Sequence, residues 1–146
     1  MPVEPGVVDA NILAYAINPD TPQHAASRAL LNAARDPAIA LYVTSQILCE
    51  FYSVITNPKR VATATTPADA VEVIAELLAW PGLRVLPAPA SIVNRLLELL
   101  KRRPVKGGDI FDLQIVATMQ ANNIQRIYTF NTADFAAFPE LTVVAP

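Results

Sequence analysis

The chain is poor in the residues that do most enzyme chemistry other than carboxylates: it has one cysteine, Cys49, and one histidine, His24, in 146 residues. A lone thiol cannot close an intramolecular disulfide or build a thiolate zinc cage, and a lone imidazole excludes a histidine-rich metal site. Charge is sparse as well. Only 16% of residues are charged while 53% are apolar, a composition that excludes a disordered chain. Lys plus Arg is 11 and Asp plus Glu is 13, so the net charge of −2 argues neither for nor against a nucleic-acid partner. No apolar run approaches the ~18 residues of a membrane span, and Met1–Gly6 lacks the basic stretch and apolar core of a signal peptide. What remains is one soluble domain over residues 1–146, expected in the cytoplasm, whose chemistry has to rest on Asp and Glu.

Glycine is scarce too, at 4 residues against 13 prolines, and the prolines stand where helices should begin or end. Thr21-Pro22 and Thr66-Pro67 each put a capping hydroxyl ahead of a proline suited to the first helical position. Residues 67–80 carry Ala70, Val71, Ile74, Leu77 and Leu78 at the spacing of one helix face, and Pro81-Gly82 closes them. Residues 91–102 repeat the pattern with Ile92, Val93, Leu96, Leu97 and Leu100, and Pro104 stops it. Two more helices are predicted, over 45–57 with Thr44 as cap and over 109–122 with Asp109 as cap. Between them lie short segments too apolar to face water: Val7-Val8, Leu41–Val43, Arg84–Leu86, Arg126–Thr129 and Leu141–Val144. This alternation predicts a three-layer α/β/α domain around a central, mostly parallel sheet. In such sheets ligands bind beyond the carboxyl ends of the strands.

That rule selects residues. Asp9 directly follows the first strand, with Asn11 two residues on; its bland reading is a helix cap. Glu50 shares a helical row with Ile47 and Val54, where a buried, unpaired carboxylate costs several kcal/mol and wants a cation. Asp112 opens the row Ile115, Val116 and Met119, although a first-turn acid is also favoured by the helix dipole. Asn131 and Asp134 follow the fourth predicted strand, where either could be a turn residue. Acids recurring at strand ends and on two helix faces repel one another, and a hard cation with oxygen ligands relieves that repulsion; Mg²⁺ or Mn²⁺ fits best.

The same residues carry a family resemblance. Val8-Asp9-Ala10-Asn11-Ile12-Leu13 resembles the opening motif of PIN domains. Glu50 within a helix and Asp112-Leu113-Gln114-Ile115-Val116-Ala117-Thr118 resemble their second and third acidic motifs, and Thr129–Phe135 resembles the closing Thr-x-Asn-x-x-Asp-Phe segment of VapC-type toxins. The resemblance runs from about Val7 to Val144. It implies a metal-dependent endoribonuclease, the toxin of a toxin–antitoxin pair, that leaves a 5′-phosphate and a 3′-hydroxyl. Asp9, Glu50 and Asp112 would be its metal-binding acids, Asp134 would supply the fourth where some relatives carry an acid at the position of Asn131, and Asn11 and Thr129 would hold the carboxylates in place. A cognate antitoxin and a homodimer are the partners it implies. A phosphohydrolase of the haloacid dehalogenase type stays open, although it needs a second Asp where Asn11 stands; so does a non-catalytic binding or receiver-type domain, which wants a strand-end lysine after Asp112.

An acidic pocket repels phosphates, so an RNA backbone needs local cations. Two clusters offer them: Lys59-Arg60, and Lys101-Arg102-Arg103 with Lys106, just ahead of the segment that carries Asp112. The remaining distinctive residues read as structural. Cys49 is expected to pack in the core, His24 to cap or face solvent, and Trp80 to plug a helix end.

Overall fold

Each strand is only three residues long; the three central ones, Gly6–Val8, Leu41–Val43 and Arg126–Tyr128, are mostly buried between helix layers, while the edge strands Leu83–Val85 and Thr142–Val144 are partly exposed. The computed structural model describes residues 2–146. Its elements are β1 (Gly6–Val8), α1 (Ala10–Ala16), α2 (His24–Ala33), β2 (Leu41–Val43), α3 (Ser45–Thr56), α4 (Pro67–Leu78), β3 (Leu83–Val85), α5 (Ile92–Arg102), α6 (Ile110–Ala121), β4 (Arg126–Tyr128), α7 (Thr132–Phe135) and β5 (Thr142–Val144). A 3-10 turn, Gly107–Asp109, leads into α6. The sheet is parallel throughout and ordered β3-β2-β1-β4-β5.

That order follows the chain. Starting at β1 it steps outward to β2 and β3, then returns to the other side of β1 for β4 and β5. Right-handed crossovers put the helices of the first excursion on one face and those of the return on the other. Accordingly α1 packs on α2 and α3, and α3 on α4, while α5 packs on α6. The direction reverses between β1 and β4, where the register pairs Val8 with Tyr128. Asp9 and Thr129 are therefore neighbours at the carboxyl ends of the two central strands, the crevice where open parallel sheets bind ligands.

Local signals mostly hold. Thr44 Oγ1 accepts from the Ile47 N–H at 3.1 Å, and Thr66 Oγ1 from the Asp69 N–H at 3.2 Å. Thr21 does not cap: α2 begins at His24, and the Thr21 hydroxyl donates instead to the Asn18 carbonyl at 2.9 Å. Asp109 occupies the residue before α6 but makes no side-chain cap bond, because the 3-10 turn already winds the chain there. The α5 stripe is wider than its interface with α6, so Leu99 is buried while Val93 and Leu97 are 57% and 52% exposed. Val71 on α4 is likewise exposed. Trp80 is partly buried against the core, with the Arg35 guanidinium 4.4 Å above its ring. No helix among the described residues is long and apolar enough to cross a membrane.

Gly82 is fixed by close backbone approach. A Cβ there would lie 2.6 Å from the Ala34 carbonyl oxygen and 2.7 Å from that of Asp36, neither of which can swing away. Its own N–H donates to the Ala34 carbonyl and its carbonyl accepts from the Leu41 N–H, so it ties the entry of β3 to that of β2. Gly82→Ala should destabilise the fold by about 2 kcal/mol, a fall in Tm of about 5 °C for a chain of this size. Thermal denaturation checks it, and an unchanged Tm would show that the two segments separate freely.

Candidate active site

Asp9 is only 6% exposed, yet its carboxylate is well supplied with donors. The Ala10 N–H donates to Oδ1 at 2.8 Å, which makes Asp9 the cap of α1 as well as a site residue. Oδ2 accepts from Thr129 Oγ1 at 2.8 Å and from Asn11 Nδ2 at 3.2 Å. Asn11 Nδ2 also reaches Thr129 Oγ1 at 3.1 Å, and Asn11 Oδ1 accepts from the Phe130 N–H at 3.1 Å. The Asn131 N–H donates to the same Thr129 hydroxyl at 3.0 Å. One network thus stitches the loop after β1 to the loop after β4. Thr129, at its centre, is fully buried.

Two helices bring further acids to this network. Glu50, on α3, and Asp112, in the first turn of α6, line the same cleft as Asp9, Asn11 and Asn131. The cleft has a volume of about 650 Å³ and continues along α1 and α3 past Tyr15 to Arg60. The core face of α3 is Ile47, Phe51 and Ile55, which leaves Glu50 beside the core and open to the cleft. Gln46, one turn earlier, donates through Nε2 to Glu50 Oε1 at 2.9 Å and to the Phe111 carbonyl at 2.8 Å. It thereby links α3 to the start of α6. Asp134 is exposed on α7 and does not line the cleft, but its charge acts on both Asp9 and Asp112.

The electrostatics follow from this crowding. Burial pushes the Asp9 carboxyl up, against the hydrogen bonds from Thr129, Ala10 and Asn11 that favour its ionised form. Burial also raises Glu50, opposed by Gln46 and assisted by the charge of Asp9. Asp112 is pushed up to about 6 from an ordinary 3.8, first by burial and then by Asp134, Asp9, Glu50 and Asp109 in turn. The acids form an open cleft rather than a closed cage. Among the described residues no three Asp, Glu, His or Cys side chains are grouped tightly enough to hold an ion as they stand. The donor set is nonetheless all oxygen, mutually repelling and half-desolvated, which suits a hard divalent cation.

The cleft gathers only part of the basic residues expected beside it. Arg60 lines it and Lys59 is exposed next in sequence. Arg102 and Lys106 are exposed and line none of it. Arg103 is turned aside, its guanidinium 5.3 Å from the Phe138 ring and 3.4 Å from the Ala137 carbonyl. Cys49 is a correction: it is exposed and lines the cleft instead of packing in the core, because the buried side of α3 is set by Ile47, Phe51 and Ile55. His24 takes a structural position, with Nδ1 2.8 Å from the Tyr15 carbonyl. Gln46 escaped the sequence reading, although its place four residues before Glu50 was a usable signal.

Comparison with known proteins agrees with this architecture. The PIN domain profile matches residues 6–141. Over 136 residues the chain is 31% identical to ribonuclease VapC43 of Mycobacterium tuberculosis, spanning 92% of this chain and 90% of that protein. Its fold is similar to the crystal structure of M. tuberculosis VapC20, a Sarcin-Ricin loop cleaving toxin, with a TM-score of 0.70 and 22% identity over 96% of this chain and 98% of that one. A toxin–antitoxin complex from Klebsiella pneumoniae is similar at a TM-score of 0.61 and 20% identity over 97% of both chains.

Asp112 makes the electrostatic strain measurable. Since its folded carboxyl lies at about 6 against 3.8 ordinarily, the folded state binds that proton more tightly than the unfolded chain does. The favourable contribution is therefore present below 3.8 and lost as pH rises through 6, so ionised Asp112 opposes folding at neutral pH. With EDTA present, Asp112→Asn should raise stability near neutral pH by about 1 kcal/mol once solvent screening is allowed for, a Tm gain of about 3 °C. The gain should shrink steadily as pH falls from 6 towards 3.8. Thermal melts across that range check it; a loss of stability at neutral pH would contradict it.

Proposed function

The chain belongs to the PIN domain family, among its VapC-type ribonucleases, and we propose that it hydrolyses RNA phosphodiester bonds at the Asp9–Glu50–Asp112 cleft with Mg²⁺ or Mn²⁺. The observation that carries this reading is the buried Asp9 carboxylate, held by Thr129 and Asn11 at the strand reversal and facing the same cleft as two further acids. Asp9 and Asp112 would hold the ion, and the charge of Asp134, which acts on both, would add to the pull on it. When bound, such an ion lowers the pKa of water and offsets charge on the scissile phosphate.

The protein's own groups do the rest. Thr129 and Asn11 fix the Asp9 carboxylate at the cleft, and Asn131 closes that side of it. Glu50 has Oε1 occupied by Gln46, leaving Oε2 to take a proton from the attacking water. Water adds to phosphorus, the 3′-oxygen leaves with a proton from solvent, and the products carry a 5′-phosphate and a 3′-hydroxyl. The RNA 2′-hydroxyl takes no part. Arg60 within the cleft and Lys59 beside it hold the backbone there, and Arg102, Arg103 and Lys106, which lie outside the cleft ahead of α6, meet the strand only where it runs on beyond the cleft. The partners of this activity are a cognate antitoxin and a second copy of the chain, and its place is the cytoplasm. The antitoxin reading draws on the relative from K. pneumoniae seen as a toxin–antitoxin complex.

Cleavage of a panel of structured RNAs tests the reading. Wild type should cut at least one RNA with Mg²⁺ or Mn²⁺ and none with EDTA, and a 2′-deoxy residue at the cut should leave cleavage intact. Asp9→Asn and Asp112→Asn should each lower the rate by about 100-fold or more. Arg60→Ala, and separately Arg102→Ala with Arg103→Ala, should reduce the salt dependence of binding by roughly one unit of slope for each phosphate no longer neutralised. Near wild-type cleavage by either Asn variant would refute the site, and an unchanged salt slope would remove that cation cluster from the RNA path.

A further inference from the structure

Phe111 is out of place for a core residue. It precedes Asp112 in the first turn of α6, a helix that buries Leu113, Ile115, Val116 and Met119, yet it is 52% exposed and lines the cleft. Exposed large apolar residues occur elsewhere too, at Val71, Leu78, Val85, Val93 and Leu97, but all are aliphatic, lie on α4, β3 or α5, and line none of the cleft. The cleft's other aromatic, Tyr15, is already engaged edge-on with Phe130, at 5.5 Å between ring centres. Phe111 is therefore the one aromatic ring among the described residues that is both exposed and beside the acids.

Its backbone is also held. The Gln46 amide nitrogen that donates to Glu50 Oε1 donates its second hydrogen to the Phe111 carbonyl, so both bonds form without competition. The ring's root is thus set relative to Glu50 on one side and Asp112 on the other.

We propose that Phe111 is a nucleobase platform: an unpaired base beside the scissile phosphate stacks on its ring, and the Gln46 bracket sets the register between that base and the acids. This rests on the ribonuclease reading above. Unpaired RNA is commonly held by stacking on aromatic rings, an interaction that tolerates any base because every base has a π face. Arg60, further along the same cleft, supplies the cation such a strand needs. A protein partner is the less favoured occupant, since the exposed aliphatic residues that a second chain would cover stand apart from this ring.

The test measures binding and cleavage separately on the full chain. Binding of a fluorescein-labelled, single-stranded 12-nucleotide RNA of mixed sequence is followed by anisotropy in EDTA, and cleavage on an RNA cut by wild type. Phe111→Ala should weaken binding by about 5- to 100-fold, with the loss appearing in KM more than in kcat. Phe111→Tyr and Phe111→Trp should restore binding; Phe111→Leu, apolar but without a π face, should not. Emission of the Phe111→Trp variant should be quenched by RNA, against a wild type whose single Trp80 lies outside the cleft. Circular dichroism and Tm separate these effects from misfolding. Wild-type binding by Phe111→Ala or Phe111→Leu, with cleavage intact, overturns the platform and leaves the ribonuclease reading standing. So does a Phe111→Ala chain that binds RNA normally but loses self-association or antitoxin binding. A wild type that neither binds nor cuts RNA overturns both.

Discussion

Asp9 keeps a carboxylate almost wholly out of water while other acids press on it, and the way that charge is tolerated governs the rest of the site. Burial disfavours the ionised form by far more than one hydrogen bond returns. Three donors offset it: the Ala10 N–H, the Thr129 hydroxyl and the Asn11 amide. They come from both sides of the strand reversal. The topology that opens a crevice between β1 and β4 also delivers the groups that stabilise a charge inside it.

The other two acids are carried differently. Glu50 and Asp112 ride on helices from opposite layers, half-buried, and neither has a network like that of Asp9. Gln46 ties the two helices together, through Glu50 Oε1 and the Phe111 carbonyl. Charge crowding is thus concentrated on Asp112, which meets four carboxylates as well as partial burial. The site works against the stability of the fold, and the apolar core around the sheet bears that strain.

The family likeness and the physical reading converge from different directions. Alternating short apolar strands and proline-bounded helices are enough to expect a covered parallel sheet, and the acids at strand ends are enough to expect ligand chemistry there. Thr44 and Thr66 cap as their positions demand, since a hydroxyl before a helix answers to neighbours three residues away. Thr21 fails because α2 begins three residues later, at His24 with Gln23 in the cap position, which leaves no first-turn N–H placed to donate to its hydroxyl. Cys49 and Val93 fail for another reason: helical spacing marks an apolar row but not its width, and the packing partner decides which edge stays in water.

By itself, then, the sequence determined the alternation of strands and helices, the caps at Thr44 and Thr66 and the choice of Asp9, Glu50, Asp112 and Asp134 as candidate acids, all properties set by short-range pattern and side-chain type. Tertiary structure alone decided that Asp9, Glu50 and Asp112 share a cleft that Asp134 does not line, that Thr129 lies buried against Asp9, and that Gln46 joins two layers. It also decided that Arg60 reaches the cleft while Arg102 and Lys106 do not. Those are relations across long separations in the chain. They depend on the strand order β3-β2-β1-β4-β5 and on the angle at which each helix lies on the sheet, neither of which is written in any local run of residues.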